Sequence, residues 1–360
     1  MLSFSKQYLR ILTPGMWSYS INFTLTSWLQ AIGMADVPMY GGLVGLACHI
    51  PMNIFFIYTL EWGYEGAAAA TSVFQILQPV VTFLYLYITN HGRSRVYYNT
   101  GADTLASPIP LSFDIKRAIF SYKGIYQYLS LALPGVLLIS EWWASETAIF
   151  LAGLLSSPAI ALAGMSIYQS INSTCFMFVV GVGVACAARV ANLLGARDAN
   201  GASFASGVSI ILAVITGLML ALTLYFTPHV FFPSFFTPDV AIIGEVAATI
   251  PYLSIYVFAD GLQYTISGIM KGCGRQCSIA PVVIVAYWLV GLPLGYFLTF
   301  RWQYGTDNIN TEITGLVLGM TLGTCIHSFL LAMITIFTTN WDKEIKKSQS
   351  RMELEHETNL

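Results

Sequence analysis

Charged side chains are scarce in this 360-residue sequence, where only 9% of the residues are aspartate, glutamate, lysine or arginine. Soluble proteins carry about 25% charged residues, so this chain lacks the means to cover a water-exposed surface. Its hydrophobic fraction is 56% and its mean hydropathy is +0.67, which excludes a disordered chain and an ordinary soluble enzyme. A formal net charge of −2 leaves no basic surface for nucleic acid. The class that remains is a polytopic membrane protein.

Motifs of catalysis, metal binding and nucleotide binding are also lacking. The sequence has no GxxxxGKS/T loop, no HExxH helix, no GxSxG turn and no CxxC pair. Its six cysteines are scattered, and the CxxxC spacing of Cys273 and Cys277 suits neither a redox pair nor a zinc site. We therefore predict no enzyme activity, no cofactor, no metal and no bound nucleotide, so any transport would draw on an ion gradient.

Long apolar runs predict an all-α bundle of about nine transmembrane helices, since a bilayer helix needs roughly 20 mostly apolar residues. The predicted spans are about 11–33, 39–60, 66–88, 129–155, 164–188, 204–227, 244–270, 278–300 and 313–338. A long polar loop separates the first three spans from the other six. We predict a partial N-terminal lobe at 1–89, a cytoplasmic linker at 90–124, a C-terminal lobe at 125–339 and a charged, fraying cytoplasmic tail at 340–360.

The distribution of lysine and arginine predicts the orientation of these spans. With nine spans, thirteen of the sixteen basic residues fall on the side of the long loop and the C-terminus, and three fall on the other side. Basic residues concentrate in cytoplasmic loops. We therefore expect the long loop and the C-terminus in the cytoplasm.

Three carboxylates interrupt the predicted spans: Glu141 and Glu146 in the fourth, and Asp260 near the middle of the seventh. A charge at a membrane helix centre costs about 2.5–3.5 kcal/mol, so such residues face a bundle interior or a wet cavity. Burial favours the neutral form of a carboxyl group, which then binds and releases a proton near neutral pH. We predict that these three residues couple transport to a proton or cation; the alternative is structural hydrogen bonding between helices. His49 and His327 are either satisfied neutral residues or members of a proton relay.

Polar and aromatic residues near these acids predict the wall of a substrate cavity. Trp142 offers aromatic surface to a flat or cationic molecule. Gln263 and Tyr264 closely follow the aspartate on the seventh span. Gln169 and Asn172 lie at mid-depth in the fifth span, where hydrogen bonding between helices is the alternative role.

A weak internal repeat relates the first three predicted spans to the last three. Prolines punctuate both sets, at Pro14, Pro38 and Pro51 and again at Pro251, Pro281 and Pro293. The middle three spans have no counterpart in the sequence. Transporters are often built from two related halves, so we expect the missing counterpart ahead of residue 1.

Several phrases inside these spans are specific enough to compare with a known family. They are Glu141-Trp142-Trp143-Ala144-Ser145-Glu146, Gly181-Val182-Gly183-Val184-Ala185, Asp260-Gly261-Leu262-Gln263 and Lys271-Gly272-Cys273-Gly274-Arg275-Gln276. Tyr287, Gly291-Leu292-Pro293, Thr339-Asn340-Trp341 and, in the first block, His49-Ile50-Pro51 fit the same pattern. With them, nearly the whole chain resembles the eukaryotic-type MATE (multidrug and toxic compound extrusion) transporters, lacking the family's first three helices.

The resemblance implies two six-helix lobes that open alternately to either face of the membrane. It implies an antiporter that exports organic cations or other xenobiotics in exchange for protons or sodium, in the plasma membrane or a vacuolar or other organellar membrane. By motif position, Glu141, Glu146 and Asp260 would carry the coupling, and Tyr287 would line the substrate cavity. The alternatives are a lipid flippase-like protein and a truncated remnant that does not transport.

Overall fold

The computed structural model describes residues 2–88, 122–302 and 312–359, and within these ranges the chain is nearly all helical and contains no strand. The predicted all-α fold class is therefore confirmed. The chain divides into two compact units, Met1–Ala118 and Ile119–Leu360. Most of the predicted linker at 90–124 lies outside the described residues, and the predicted lobe boundaries stay a prediction.

The first unit contains three helices packed around the third. They are α1 (Leu2–Ala31), α2 (Asp36–Ile54, continued by a π-helical segment, Phe55–Thr59) and α3 (Tyr64–Ile88). Gly33, with φ of 76°, takes the left-handed conformation that the turn between α1 and α2 requires. Helix α3 packs extensively against α1 and α2, whereas α1 and α2 barely touch each other.

The second unit contains the remaining helices. They are α4 (Tyr122–Ala152), α5 (Pro158–Gly195), α6 (Ala199–Phe226), α7 (Val240–Gly272), α8 (Gln276–Val283), α9 (Leu292–Phe300), α10 (Thr314–Thr338) and α11 (Trp341–Asn359). A π-helical segment, Ile284–Gly291, joins α8 to α9 into one rod. Pro158 opens α5, and the side chains of Asp198 and Asp239 cap α6 and α7, as the residue preferences of helix starts predict.

Seven segments of the described chain are long and apolar enough to cross a membrane, judged by length and composition. They are Asp36–Thr59, Tyr64–Ile88, Pro158–Gly195, Ala199–Phe226, Val240–Gly272, Gln276–Phe300 and Thr314–Thr338. The other two predicted spans correspond to α1 and α4, which are 30 and 31 residues long. Both are richer in polar and aromatic residues, and α4 carries two glutamates in its second half. The chain is thus an integral, multi-pass membrane protein.

Helix α7 is the centre of the second unit. It packs against α5, α6 and α10. Side chains on several of its faces are therefore buried, including Ile250, Leu253 and Val257. Helix α10 also packs closely on α9, where a Cβ on Gly319 would run into the backbone of Gly295. Small residues allow this approach, as is usual between membrane helices.

The two sets of helices in the predicted repeat share a packing pattern. As α3 contacts both α1 and α2, so α10 contacts both α7 and the α8–α9 rod, while the first two members of each set touch little. The repeat inferred from proline spacing therefore has support from the packing inside each unit.

The C-terminal tail differs from the expectation that it frays. Residues 341–359 form α11, whose first turns pack on the ends of α5 and α6. Trp341 and Ile345 contact a small buried cluster that includes Val190, Leu194 and Cys273. The charges of the tail suggested solvation, but these apolar contacts, together with a 2.8 Å hydrogen bond from Arg197 to Gln349, dock the helix.

Candidate functional site

Two acidic side chains from different helices meet inside the second unit. Glu141 lies on α4 and Asp260 on α7, and their exposed fractions are 12% and 4%. Both therefore lie within helix packing rather than on an open aqueous wall. Buried carboxylates at membrane depth are costly unless hydrogen-bonded, so their partners decide what the cluster does.

Gln263 is the partner that the two carboxyl groups share. Its Nε2 donates to Asp260 Oδ1 at 2.9 Å and lies 3.5 Å from each carboxylate oxygen of Glu141. Asp260 and Gln263 are three residues apart on α7, so helical geometry places them on one face. Ser267, one turn further on, lies 3.5 Å from the amide oxygen. An amide has two N–H donors, so one side chain can contact both acids.

A second set of polar groups lies next to Glu141, with His327 and Thr324 on α10 and Tyr287 on the π-helical segment between α8 and α9. His327 Nδ1 lies 3.6 Å from Glu141 Oε2 and 3.4 Å from the hydroxyl of Tyr287. That hydroxyl is 3.0 Å from Thr324 Oγ1, which donates to the backbone oxygen of Met320. Tyr287, Thr324 and His327 are each at most 1% exposed. The buried His327 Nε2 has no hydrogen-bond partner among the described residues.

The contacts to Glu141 are longer than the contact to Asp260. Its three polar contacts, two from Gln263 Nε2 and one from His327 Nδ1, are 3.5–3.6 Å long, beyond the usual 2.7–3.2 Å of an N–H···O bond. Asp260, by contrast, holds a well-formed bond from Gln263. Glu141 is thus the less satisfied carboxyl group, with a basic nitrogen on one side and an amide on the other. Such a group has capacity left to bind a proton or a cation.

Predicted cavity residues Trp142 and Tyr264 come together through a residue that the sequence did not single out. The ring of Phe176, on α5, meets Trp142 edge-on at 5.6 Å and Tyr264 at 5.1 Å between centroids. Lys271 Nζ lies 5.0 Å from the centroid of Tyr264. Trp142 directly follows Glu141, Tyr264 directly follows Gln263, and Phe176 contacts both rings, so this aromatic group lies near the acidic cluster. It offers a surface on which a flat organic cation can stack.

Other predicted site residues are not joined to this cluster. Glu146 is exposed on α4, and no described hydrogen bond links it to the two acids. Gln169 is half-buried on α5, outside the hydrogen bonds of the cluster. Asn172 is 6% exposed, and its Oδ1 has no partner among the described residues. The structure therefore gathers Glu141, Asp260, Gln263 and Tyr287 but leaves these three apart.

Thr324 and His327 are the polar members that sequence reasoning weighted least. His327 stood out only as a mid-span histidine, and Thr324 did not stand out at all. Their spacing of three residues on α10 places them on one face. That pairing of polar residues on one face of a membrane span was the available signal.

Comparisons with known proteins agree with this fold. The family model described as MatE matches residues 1–55 and 135–297. Protein DETOXIFICATION 36 of Arabidopsis thaliana is 29% identical over 341 residues, which are 94% of this chain and 62% of that protein. Protein DETOXIFICATION 12 of the same plant is 29% identical over 353 residues, or 98% of this chain and 68% of that protein. The chain thus spans about 62% of the length of the first of these relatives.

Solved structures give the same result. The crystal structure of the eukaryotic MATE transporter AtDTX14 aligns with a TM-score of 0.81 and 25% identity, over 96% of this chain and 71% of that one. An outward-facing multidrug resistance MATE family transporter of the MOP superfamily aligns with a TM-score of 0.72 over 96% of this chain and 70% of that one, and at 17% identity it shows the shared fold alone. Since the family model covers more than half of the residues, the chain belongs to the MATE family and is of its eukaryotic type.

Proposed function

We propose that the protein is a secondary active antiporter, which exports organic cations or other xenobiotics by alternating access in exchange for protons. The membrane-spanning fold and the family membership support a transporter rather than an enzyme. The Arabidopsis relatives are named for detoxification, which favours small organic molecules as cargo. Sodium is the alternative coupling ion.

The observation that carries this proposal is the pairing of Glu141 and Asp260 around Gln263. Two buried carboxyl groups that share one donor disfavour simultaneous ionisation, since like charges repel strongly away from water. A proton bound there reduces the negative charge, and its release restores an acceptor for a cationic cargo. Proton and cargo then compete for the same charge, which is the requirement of an exchanger.

His327 places a ring nitrogen 3.6 Å from Glu141 Oε2, beside the carboxyl group that we propose exchanges the proton. Tyr287 holds the ring through its hydroxyl and through edge-on packing at 5.4 Å. We assign His327 and Tyr287 to positioning of Glu141, with the aromatic group of Trp142, Phe176 and Tyr264 as a surface for cargo.

The test uses the full chain in proteoliposomes with an imposed pH gradient and a fluorescent organic cation as cargo. We expect proton-driven flux in the wild type and its loss in Glu141→Gln and Asp260→Asn, because each change removes an ionisable group without changing side-chain shape. Asp239→Asn is the matched control, since it changes a helix cap on the same α7 and asparagine caps equally well. Glu146→Gln tests whether the exposed glutamate belongs to the coupling set, as its sequence position suggests.

The alternatives give different results in the same vesicles. A sodium gradient that drives flux where a pH gradient does not would assign the coupling ion to sodium. Scrambling of a fluorescent lipid without any gradient would favour the flippase-like alternative. Wild-type flux that persists in Glu141→Gln would contradict the assignment of coupling to the buried acids.

A further inference from the structure

A groove on the second unit lies apart from the acidic cluster, between α5 and α6. Its volume is about 570 Å³. Small residues on both helices line it, Gly181 and Ala185 on α5 and Gly201 and Ala205 on α6. A Cβ built on Gly181 would meet no atom within 4 Å, so space is open at that end. The groove is thus a consequence of side chains that are too small to fill the interval between the helices.

The outer edge of the groove is apolar and open to the surroundings. Phe204 is 74% exposed and Leu212 is 48% exposed, and both line the groove. Helices α5 and α6 are long apolar segments suited to a membrane, so these side chains meet lipid. The wall from residue 181 to residue 193 of α5 is about 18 Å long at 1.5 Å per residue. That length exceeds half of the roughly 30 Å hydrocarbon core, which suits one acyl chain.

The other end of the groove carries one charge of each sign. Arg189 is exposed and forms no ion pair with a described residue. Asp198, at the start of α6, accepts from Gly201 N through Oδ1 at 2.8 Å. Its Oδ2 has no hydrogen bond to a described residue. Both residues line the groove. Its polar end therefore holds one positive and one negative side chain, whose formal charges sum to zero.

We propose that this groove binds a zwitterionic phospholipid with a primary amine, of the phosphatidylethanolamine class. Its phosphate pairs with Arg189, its ammonium group donates to Asp198, and one acyl chain lies along the small residues toward Gly181. Matched charges of both signs favour a headgroup of zero net charge over an anionic headgroup. The site is independent of the transport proposed above.

The experiment measures lipid retained by the purified full chain in native mass spectrometry, with phosphatidylethanolamine and phosphatidylglycerol offered at equal concentration. We expect the wild type to retain the ethanolamine lipid in preference. Gly181→Leu fills the open end of the groove and lowers that retention at least tenfold. Gly207→Leu is the matched control, because Gly207 lies on α6 outside the groove and also has no atom within 4 Å of a Cβ; it leaves retention unchanged.

Two variants test the polar end. Arg189→Gln lowers retention of both lipids, because each has a phosphate. Asp198→Asn keeps the helix cap but removes the charge that selects the amine, so the preference between the two lipids disappears. Melting temperatures of all variants, followed by tryptophan fluorescence, identify any that fail to fold, and Arg189→Gln then stands in for Gly181→Leu.

Three results would overturn the proposal. One is equal retention of the ethanolamine lipid by the wild type and folded Gly181→Leu. Another is a wild type that retains the two lipids equally. The third is a dimer that Gly181→Leu abolishes while lipid retention is unchanged, since the groove would then hold a second copy of the chain.

Discussion

At the scale of single residues, one buried amide connects the two acids of the cluster. Gln263 is 2% exposed and is the donor that lies within reach of both Glu141 and Asp260. A buried acceptor that loses its donor costs about 1–3 kcal/mol. The geometry of the two acids relative to each other therefore depends on this one side chain.

We accordingly predict that Gln263→Ala lowers the rate of proton-driven flux about tenfold or more, since 1.4 kcal/mol corresponds to a factor of ten. The measurement is initial flux per reconstituted protein in the proteoliposome assay. Gln7→Ala, which changes an exposed glutamine on α1, serves as the control and should leave the rate unchanged. A Gln263→Ala protein as fast as the wild type would show that the amide contacts do not matter for coupling.

At the scale of helices, a carboxylate on α7 holds the start of α10. Glu245 is 5% exposed, and its two oxygens accept from the backbone N–H groups of Glu312 at 3.0 Å and Ile313 at 3.4 Å. Ile313, the cap position of α10, provides no side-chain bond of its own. A helix start has unpaired N–H groups and a partial positive charge, so Glu245 acts as a cap supplied from another helix.

The same end of the second unit contains a related contact. Glu312 Oε2 accepts from Ser157 N, at the start of α5, at 3.2 Å. Glu245 and Glu312 thus connect α7, α10 and α5 in series through helix starts. Helix α7 also carries Asp260 and α10 also carries His327, so the connection joins two of the helices that form the acidic cluster.

We predict that Glu245→Gln destabilises the start of α10 by about 1–2 kcal/mol, a typical value for the loss of a helix cap. Hydrogen exchange of the amides at 312–317 should then become roughly 5- to 30-fold faster, as measured by mass spectrometry on the detergent-solubilised protein. Glu61→Gln, an exposed glutamate of the first unit, is the matched control. Unchanged exchange at 312–317 would mean that the cap contributes nothing to the stability of α10.

At the scale of the whole molecule, the orientation in the membrane follows from the basic residues and stays a prediction. The turn between α7 and α8 contains Arg275, which contacts the hydroxyl groups of Thr338 and Thr339 at the end of α10. The turn and α11 therefore lie at one end of the second unit. We propose that this end faces the cytoplasm, because it carries most of the lysines and arginines of the second unit.

Two cysteines at this end provide the test. Cys277 is exposed, whereas Cys273 is buried, and burial raises the pKa of the Cys273 thiol to about 11. Maleimides react with thiolates, and a thiol whose pKa lies that high stays protonated at neutral pH. We expect a membrane-impermeant maleimide to label Cys277 from the cytoplasmic side alone, and Cys277→Ser to remove that label while Cys273→Ser does not.

Ser156→Cys, in the exposed turn between α4 and α5, provides the control for the opposite face. Introduced into the Cys277→Ser chain, it should be labelled from outside the cytoplasm. Labelling of Cys277 from that outer side would invert the proposed orientation, and with it the direction assigned to export.

The sequence by itself determined the membrane class and the positions of the helices. It also predicted that Glu141 and Asp260 are functional residues. These follow from composition and from local runs of residues, because a bilayer admits few other solutions for an apolar chain. The same local information indicated Gln263 and Tyr264 as neighbours of the aspartate. It also placed the C-terminal tail correctly outside the spans, although not its docking as a helix.

Only the tertiary structure decided which polar residues meet. Glu141 and Glu146 looked alike in sequence, yet one joins Gln263 and His327 and the other is exposed. Phe176 contacts Trp142 and Thr324 contacts Tyr287 because their helices pack together, which no local sequence pattern indicates. The physical reason is that lipid is as apolar as the helix interface, so an apolar helix does not reveal from its sequence which face it turns toward its neighbours.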